Sequence, residues 1–264
     1  MGTSDVAGTE IVRIAAVADM HVKKNSQGAL QPLFAEISRS SDIALLCGDL
    51  TDYGTEEEAR ILAKEISSSL RIPSVAVLGN HDVESGREAE IVRILTDAGM
   101  VILDGDAYEY RGVGFAGVKG FCGGFGRRAL GAWGETIIKE FVHESVNESL
   151  KLEAALARLR TPQKIALLHY SPVHATVVGE PEEVIPFLGS SRLEEPIDRY
   201  RVTAVFHGHA HRGSLEGRTK ANAPVYNVAM PLLMAARPER LPFLMIEVPA
   251  GEGVPLPVAS CPIR

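Results

Sequence analysis

Asp19 and His21 stand two residues apart at the end of the apolar run IVRIAAVA, an oxygen donor and a nitrogen donor at chelating distance along the chain. In extended backbone that spacing puts both side chains on one face, aimed at a common point. Comparable groups recur downstream. Cys47-Gly48-Asp49-Leu50-Thr51-Asp52 places a carboxylate just past a second apolar run, where a glycine lets the chain turn tightly. Gly79-Asn80-His81-Asp82 presents a neutral oxygen donor, an imidazole and a carboxylate after a third run. His169 closes KIALLHY, and His209 and His211, again spaced by two, follow Phe206-His207-Gly208. Each fragment has a plain structural reading: Asp49, Asp52 and Asp82 as turn or cap carboxylates, and a lone strand-end histidine as a core or turn residue. The turn reading leaves His81 without a role. Five of the 8 histidines lie in these clusters, a concentration that chance explains poorly.

Asp19, His21, Asp49, Asn80, His169, His209 and His211 form a mixed nitrogen and oxygen set without thiolate. Such a set suits Mn, Fe, Zn or Co better than the all-oxygen shells of Ca or Mg. Seven donors exceed the demand of one tetrahedral zinc, and a bridging carboxylate, for which Asp49 is placed, allows two ions about 3.5–4 Å apart. The chemistry expected of such a pair is metal-assisted hydrolysis.

Something must hold these donors at common ends. The runs at 11–18, 42–47, 74–79, 164–170 and 203–208 are short, apolar and β-branched, and read as buried strands. Segments 29–39, 55–70 and 85–98 carry apolar residues at helical spacing, so strand and helix alternate. Between 100 and 118, MVILD, AYEYRG and VGFAGV are broken by Gly or Asp, which predicts antiparallel hairpins and hence a mixed sheet. A long helix is expected over 135–160, with Ile138, Phe141, Val142, Val146, Leu150, Leu156 and Leu159 on its apolar face. Further strands are expected at PVYNVA and PFLMIEV. No internal repeat or linker divides the chain. The expectation is one layered α/β domain over 1–248, followed by an extended Pro/Gly-rich tail over 249–264.

Composition narrows the function classes. Lys plus Arg number 27 against 34 Asp plus Glu, a formal charge of -7 that offers no basic footprint, so nucleic acid is not favoured as a partner. Cys47, Cys122 and Cys261 are too few and scattered for a disulfide framework or a thiolate zinc site, which fits a reducing, cytoplasmic setting. No window approaches the length needed to span a bilayer, so no membrane association is expected. The stretch from Gly117 to Arg128 is glycine-rich but lacks the P-loop pattern. It reads either as a mobile loop over the site, with Arg127 and Arg128 as anion contacts, or as a surface connection. His143, His174 and His207 have no assigned role.

Read in order, DMH, GD, GNHD, His169 and GHAH resemble the calcineurin-like metallophosphoesterase superfamily, whose pattern is D-x-H, G-D, G-N-H-[DE], H and G-H-x-H. The match spans residues 19 to 211. The resemblance implies a four-layer α/β sandwich with mixed sheets and two ions at the strand ends. It also implies that Asp19, His21 and His211 hold one ion, that Asn80, His169 and His209 hold the other, and that Asp49 bridges them. His81 is left free to contact substrate and protonate the leaving oxygen, with Asp52 as the acid that orients it. The activity implied is hydrolysis of a small phosphorylated substrate by a metal-activated water, with Mn, Fe or Zn as the ions.

The chain departs from the pattern at one place. Protein phosphatases of this superfamily carry G-D-x-x-D-R-G where this chain reads GDLTDYG, so Tyr53 replaces a phosphate-binding arginine. Loss of that planar fork turns the expectation toward phosphodiesters, as in the cyclic-nucleotide and glycerophosphodiester branch. Monoesterase or nuclease activity on the same site, and a non-catalytic scaffold, are the alternatives. Composition leaves the oligomeric state open.

Overall fold

A computed structural model describes residues 10–251. Its first half is built from β1 (Ile11–Val17), α1 (Gln31–Ser40), β2 (Ile43–Cys47), α2 (Glu56–Ser69), β3 (Ser74–Val77), α3 (Glu88–Asp97) and β4 (Val101–Ile102). Then come β5 (Asp106–Tyr110), β6 (Val113–Gly117), α4 (Thr136–Arg158), β7 (Gln163–Leu167), α5 (Glu194–Arg199), β8 (Ala204–His207), β9 (Glu216–Arg218), β10 (Pro224–Asn227), α6 (Met230–Ala236) and β11 (Leu244–Pro249). The tail expected over 249–264 begins inside β11, and its remainder from 252 lies outside the described residues.

The strands form two mixed sheets, ordered β11-β1-β2-β3-β4 and β5-β6-β7-β8-β10-β9. Alternation along β1 shows how they stack. Val12, Ile14 and Ala16 meet Phe115, Ile165, Leu167 and Phe206 between the sheets. Ala15 and Val17 face the other way, toward Leu33 and Phe34 of α1, Leu62 of α2 and Ile91 of α3. On the far side of the second sheet, Ala116, Ala166 and Val205 pack against Leu152 and Leu156 of α4 and Ile197 of α5. The result is the expected four-layer order of helices, sheet, sheet, helices. No helix among the described residues is long and apolar enough to cross a membrane.

Three expectations change. The runs between 100 and 118 split between the sheets: β5 and β6 form the antiparallel hairpin, turning at Arg111 (φ 47°) and Gly112 (φ 72°), whereas β4 pairs parallel with β3. On α4, Leu150 is exposed, and the buried stripe runs through Val142, Ser145, Glu148, Leu152, Ala155 and Leu156. The stripe tolerates polar residues because they are paired: Glu148 accepts from the Gly120 amide at 2.7 Å and lies 2.7 Å from Lys151 Nζ, while the Ser145 hydroxyl bonds Ser190. β9, α5 and α6 were not expected. β9 is a three-residue, largely exposed edge strand, and Pro196 and Pro231 obscure the two short helices.

β1, β2 and β3 run parallel, as do β6, β7, β8 and β10, so strand C-termini gather along one edge of each sheet. The two edges are joined: Ala18 N donates to Val228 O at 2.9 Å, and Met230 N donates back to Ala18 O at 2.9 Å. At the opposite end, Asp42 fixes β1 to the start of β2. Its carboxylate accepts from Arg13 N (2.9 Å), Nε (3.0 Å) and Nη2 (3.2 Å).

These Arg13 contacts hold the Asp42 carboxyl below the ordinary carboxylate range. A depressed pKa contributes stability that is complete above the unfolded value, about 3.9, and is lost as pH falls through the folded one. Asp42→Asn should therefore lower stability by about 1 kcal/mol at pH 7, discounted for the exposed guanidinium. In urea melts the gap from the parent protein should close below pH 4; a gap unchanged down to pH 2.5 excludes the ionic contribution.

Candidate metal centre

All the donors predicted from sequence lie at the gathered strand ends, but the backbone brings them there differently from the extended pairs expected. β1 stops at Val17 and β8 at His207. Asp19 (φ 57°), His21 (φ 43°), Asp49 (φ 48°) and His209 (φ 70°) all occupy the left-handed region, which costs a non-glycine residue about 1–3 kcal/mol. They are held there by Asp19 N and His21 N, which donate to the carbonyls of Gly48 and Asp49 at 3.0 Å. The His209 amide donates to both Asp19 carboxylate oxygens at 3.0 Å. Side chains converge because the chain kinks, not because it is pleated. Three glycines are sterically required: a Cβ on Gly48 would overlap the His169 ring, one on Gly79 would overlap Asp49 Oδ1, and one on Gly208 would overlap Asp19 Oδ2.

The donors fall into two principal groups. One ligand atom each from Asp19, His21 and His211 lie within 4.8 Å of one another, and the same holds for Asp49, His169 and His209. Asn80 joins the second group, its Oδ1 2.9 Å from His169 Nε2. Asp49 faces both: Oδ1 is 3.4 Å from His169 Nε2, and Oδ2 is 3.8 Å from His21 Nε2. A third group, His21, Asp52 and His81, shares His21 with the first.

The protonation pattern fits cation binding. His169, fully buried, must donate from Nδ1 to the Cys47 carbonyl at 3.1 Å, because a carbonyl can only accept. In the neutral ring that metal ligation requires, its Nε2 is then a lone pair facing Asn80 Oδ1, a second acceptor, at 2.9 Å. Two acceptors this close repel unless a cation lies beside them. His209 repeats the arrangement, donating from Nε2 to the Phe187 carbonyl at 3.2 Å and leaving Nδ1 free. Both ring nitrogens of His21 are buried without a hydrogen-bond partner. Burial lowers the pKa of His21 and pushes that of His209 down to about 3, so both rings are neutral, as ligation demands. Burial raises the pKa of Asp19, but the His211 hydrogen bond and the surrounding imidazoles outweigh it, and the net shift is downward. Cys47 is buried in the core between the sheets and joins none of the donor groups, and burial pushes its thiol pKa up.

His81 lies beside this arrangement, its ring centroid 4.5 Å from that of His21. Asp52 was expected to orient it as an acid, but the bond is to the main chain: His81 Nδ1 donates to the Asp52 carbonyl at 2.6 Å. The Asp52 carboxylate instead lies 3.5 Å from His21 Nδ1 and 3.6 Å from Lys23 Nζ. Burial lowers the His81 pKa, yet the Asp52 carbonyl and the carboxylates of Asp49, Glu84 and Asp52 outweigh it, leaving the ring easier to protonate than usual.

Two groups with no site role in the sequence reading support the donors. Asp82, fully buried, accepts from the amides of Gly79 (2.8 Å), Leu50 (3.1 Å) and Thr51 (2.8 Å) and from the Thr51 hydroxyl (2.7 Å). Burial and neighbouring Asp49 push its pKa up, and these donors pull against that shift. A terminal Asp in GNHD reads equally well as a cap, so no sequence signal separates the two roles. His207 is buried and neutral, burial pushing its pKa down to about 4. Its Nδ1 donates to the Gly208 carbonyl and its Nε2 accepts from the Thr176 hydroxyl, both at 2.8 Å. His143, by contrast, is exposed on α4.

Asp82→Asn keeps the shape but turns an amide group toward amide donors. It should cost about 3 kcal/mol, a fall of roughly 6–12 °C in thermal midpoint, and should weaken metal uptake because Asp49 and Asn80 adjoin the residues it holds. Calorimetry with metal titration tests this; a variant of parental stability would show the carboxylate to be dispensable.

Comparison with known proteins identifies the family and the fold. The family model for calcineurin-like phosphoesterases matches residues 12–213. A curated relative named "Probable glycerophosphodiester phosphodiesterase GpdQ", from Arcobacter nitrofigilis, is 24% identical over 247 residues, covering 86% of this chain and 83% of its own length. Among solved structures, the phosphopantetheinyl hydrolase of Mycobacterium tuberculosis superposes with a TM-score of 0.64 at 15% identity, covering 88% of this chain and 95% of that one. A Thermus thermophilus protein superposes at 0.53 with 18% identity, covering 91% of this chain and 100% of its own. With the ordered donors assembled at the strand ends and the family model spanning them, the chain belongs to the calcineurin-like phosphoesterase family.

Proposed function

We propose that this chain is a dinuclear-metal phosphodiesterase acting on a small phosphodiester, with Asp19, His21 and His211 holding one ion and Asn80, His169 and His209 the other. The observation that carries the reading is Asp49, a single buried carboxylate with one oxygen turned toward each donor group. When bound, the ions supply Lewis acidity toward the phosphoryl oxygens and lower the pKa of the attacking water. Mn, Fe or Zn suits the donors, which include no thiolate.

The remaining work falls to His81. With Nδ1–H committed to the Asp52 carbonyl, any second proton must sit on Nε2. Nε2 lies 4.0 Å from Asp49 Oδ2, so that proton is directed at the donor cluster and can pass to a departing alkoxide. Asp52 thus serves as a positioning residue, through its carbonyl for His81 and its carboxylate beside His21. Tyr53, exposed at the position of the missing arginine, favours diesters over the dianionic monoesters that a guanidinium fork would grip. The relative named as a glycerophosphodiester phosphodiesterase supports the same preference. The few, scattered cysteines favour a reducing, cytoplasmic setting.

With added Mn, the purified protein should hydrolyse bis(p-nitrophenyl) phosphate. Asn80→Ala and His169→Ala should lower both the occupancy of the second ion and the rate. No bound transition metal together with no turnover across added metals would sink the proposal. His81→Ala should keep the metal content and slow turnover by roughly 10²–10⁴-fold, most for poor leaving groups. An equal loss for activated and unactivated leaving groups removes the general-acid role.

A further inference from the structure

Beside the His209 and His211 flank of the donor cluster lies a cavity of about 600 Å³, within the usual range for a small-molecule pocket. One wall is the glycine-rich segment through Gly124, Phe125, Arg127 and Arg128; the other runs from His174 through Val178 and Glu180 to Pro186. The second wall connects directly to the donor loop at two points. Phe187, which ends the turn Ile185–Phe187, accepts from His209 Nε2 at 3.2 Å, and Glu180 accepts from the amide of Arg212, next to His211, at 2.6 Å.

The glycine-rich wall is not the mobile lid that composition allows. Gly123 N donates to Pro186 O at 3.0 Å, Gly124 N to Gly189 O at 2.9 Å, and Ser191 N to Gly124 O at 3.2 Å. Arg192 Nη2 donates to Leu130 O at 2.7 Å, closing the segment from its far end. The backbone of this wall is therefore preformed, and the ordering cost of filling the pocket falls mainly on the two arginine side chains.

Its chemistry is specific. Phe125, whose ring meets His174 edge-on at 5.7 Å, with Val178, Ile185 and Pro186, offers an apolar surface. Arg127 and Arg128 form a short exposed turn. Arg158 and Arg199 are paired with Asp106 and Glu153, but among the described residues Arg127 and Arg128 pair with no carboxylate. The acidic groups, Glu180 and Glu182, belong to the other wall, and Glu180 is committed to the Arg212 amide. His81 stands beside His21, not on this flank, so a leaving group drawn toward His81 does not compete for the cavity.

We propose that this cavity is the specificity pocket of the phosphodiesterase site, taking the organic group that stays on phosphorus when that group carries a second phosphate, with Arg127 and Arg128 as its anchors. Adjacent guanidiniums suit a terminal phosphate, which accepts paired N–H bonds from either. The inference rests on the phosphodiesterase reading for turnover, but not for binding.

Two probes differ only in the anion: the p-nitrophenyl ester of thymidine 5′-phosphate, and the same ester with a 3′-phosphate. In each, water adds to the 5′-phosphorus as its bond to nitrophenolate breaks. The 3′-phosphorylated ester should show about tenfold higher kcat/KM, and in titration calorimetry thymidine 3′,5′-bisphosphate should bind about tenfold more tightly than thymidine 5′-monophosphate. Arg127→Ala/Arg128→Ala should bring both preferences to within about twofold, and Arg127→Glu/Arg128→Glu should invert them. Equal handling of the two probes by the parent protein, or a preference that survives both double variants, overturns the proposal. If neither ester is hydrolysed with any metal, the phosphodiesterase reading fails, and the calorimetric preference alone decides the cavity.

Discussion

One buried carboxylate organises the centre without belonging to it. Asp82 draws the amides of Leu50, Thr51 and Gly79 to a single point, and the residues next to those amides are Asp49 and Asn80. Placing a carboxylate out of water is costly unless donors surround it, and here four do. The loops after β2 and β3 could otherwise move independently. With Asp82 between them they form one rigid unit, and two donors proposed to meet cations inherit their positions from a group that need never touch one.

That rigidity explains how the chain sustains its unfavourable backbone. Asp19, His21, Asp49 and His209 all hold positive φ, and such angles persist only where surrounding bonds over-determine them. The parallel strands supply the determination, because their C-terminal ends line up and each kinked residue bonds the loop beside it. Gly79 and Gly208 complete the fit by letting carboxylate oxygens rest against bare Cα atoms. Strain, glycine and strand direction are three aspects of one requirement: short side chains from distant segments must end within a few ångströms of each other.

Much of this was legible in residue order. Strand-end Asp, Asn and His stood out because their types are chemically costly and their spacing repeats, and the apolar runs marked the strands that carry them. What was not legible depends on long-range geometry. The pairing of Asp19 with His21 is real, but it comes from left-handed kinks that no spacing rule encodes. Asp52 acts on His81 through a carbonyl, and main-chain atoms carry no identity in a sequence. Asp82 and His207 resemble a cap and a spare histidine until their partners 31 residues away are known. Leu150 was misplaced on α4 because Ser145 and Glu148, satisfied by Ser190, Gly120 and Lys151, occupy a face that hydropathy assigns to apolar residues.

The seam at Ala18 has a further consequence. Asp19, His21, Asp49 and Asn80 extend from the first sheet, while His169, His209 and His211 extend from the second, so each donor group draws on both. An ion in either group would rivet the two sheets together at the edge where Val228 and Met230 already tie them through Ala18. Sliding of one sheet over the other would then be opposed by ion affinity, and every increment of that affinity would appear as resistance to unfolding. In such a molecule the interface between sheets would itself sense metal, and the packing of Phe115 and Phe206 against β1 would help set how tightly ions are held.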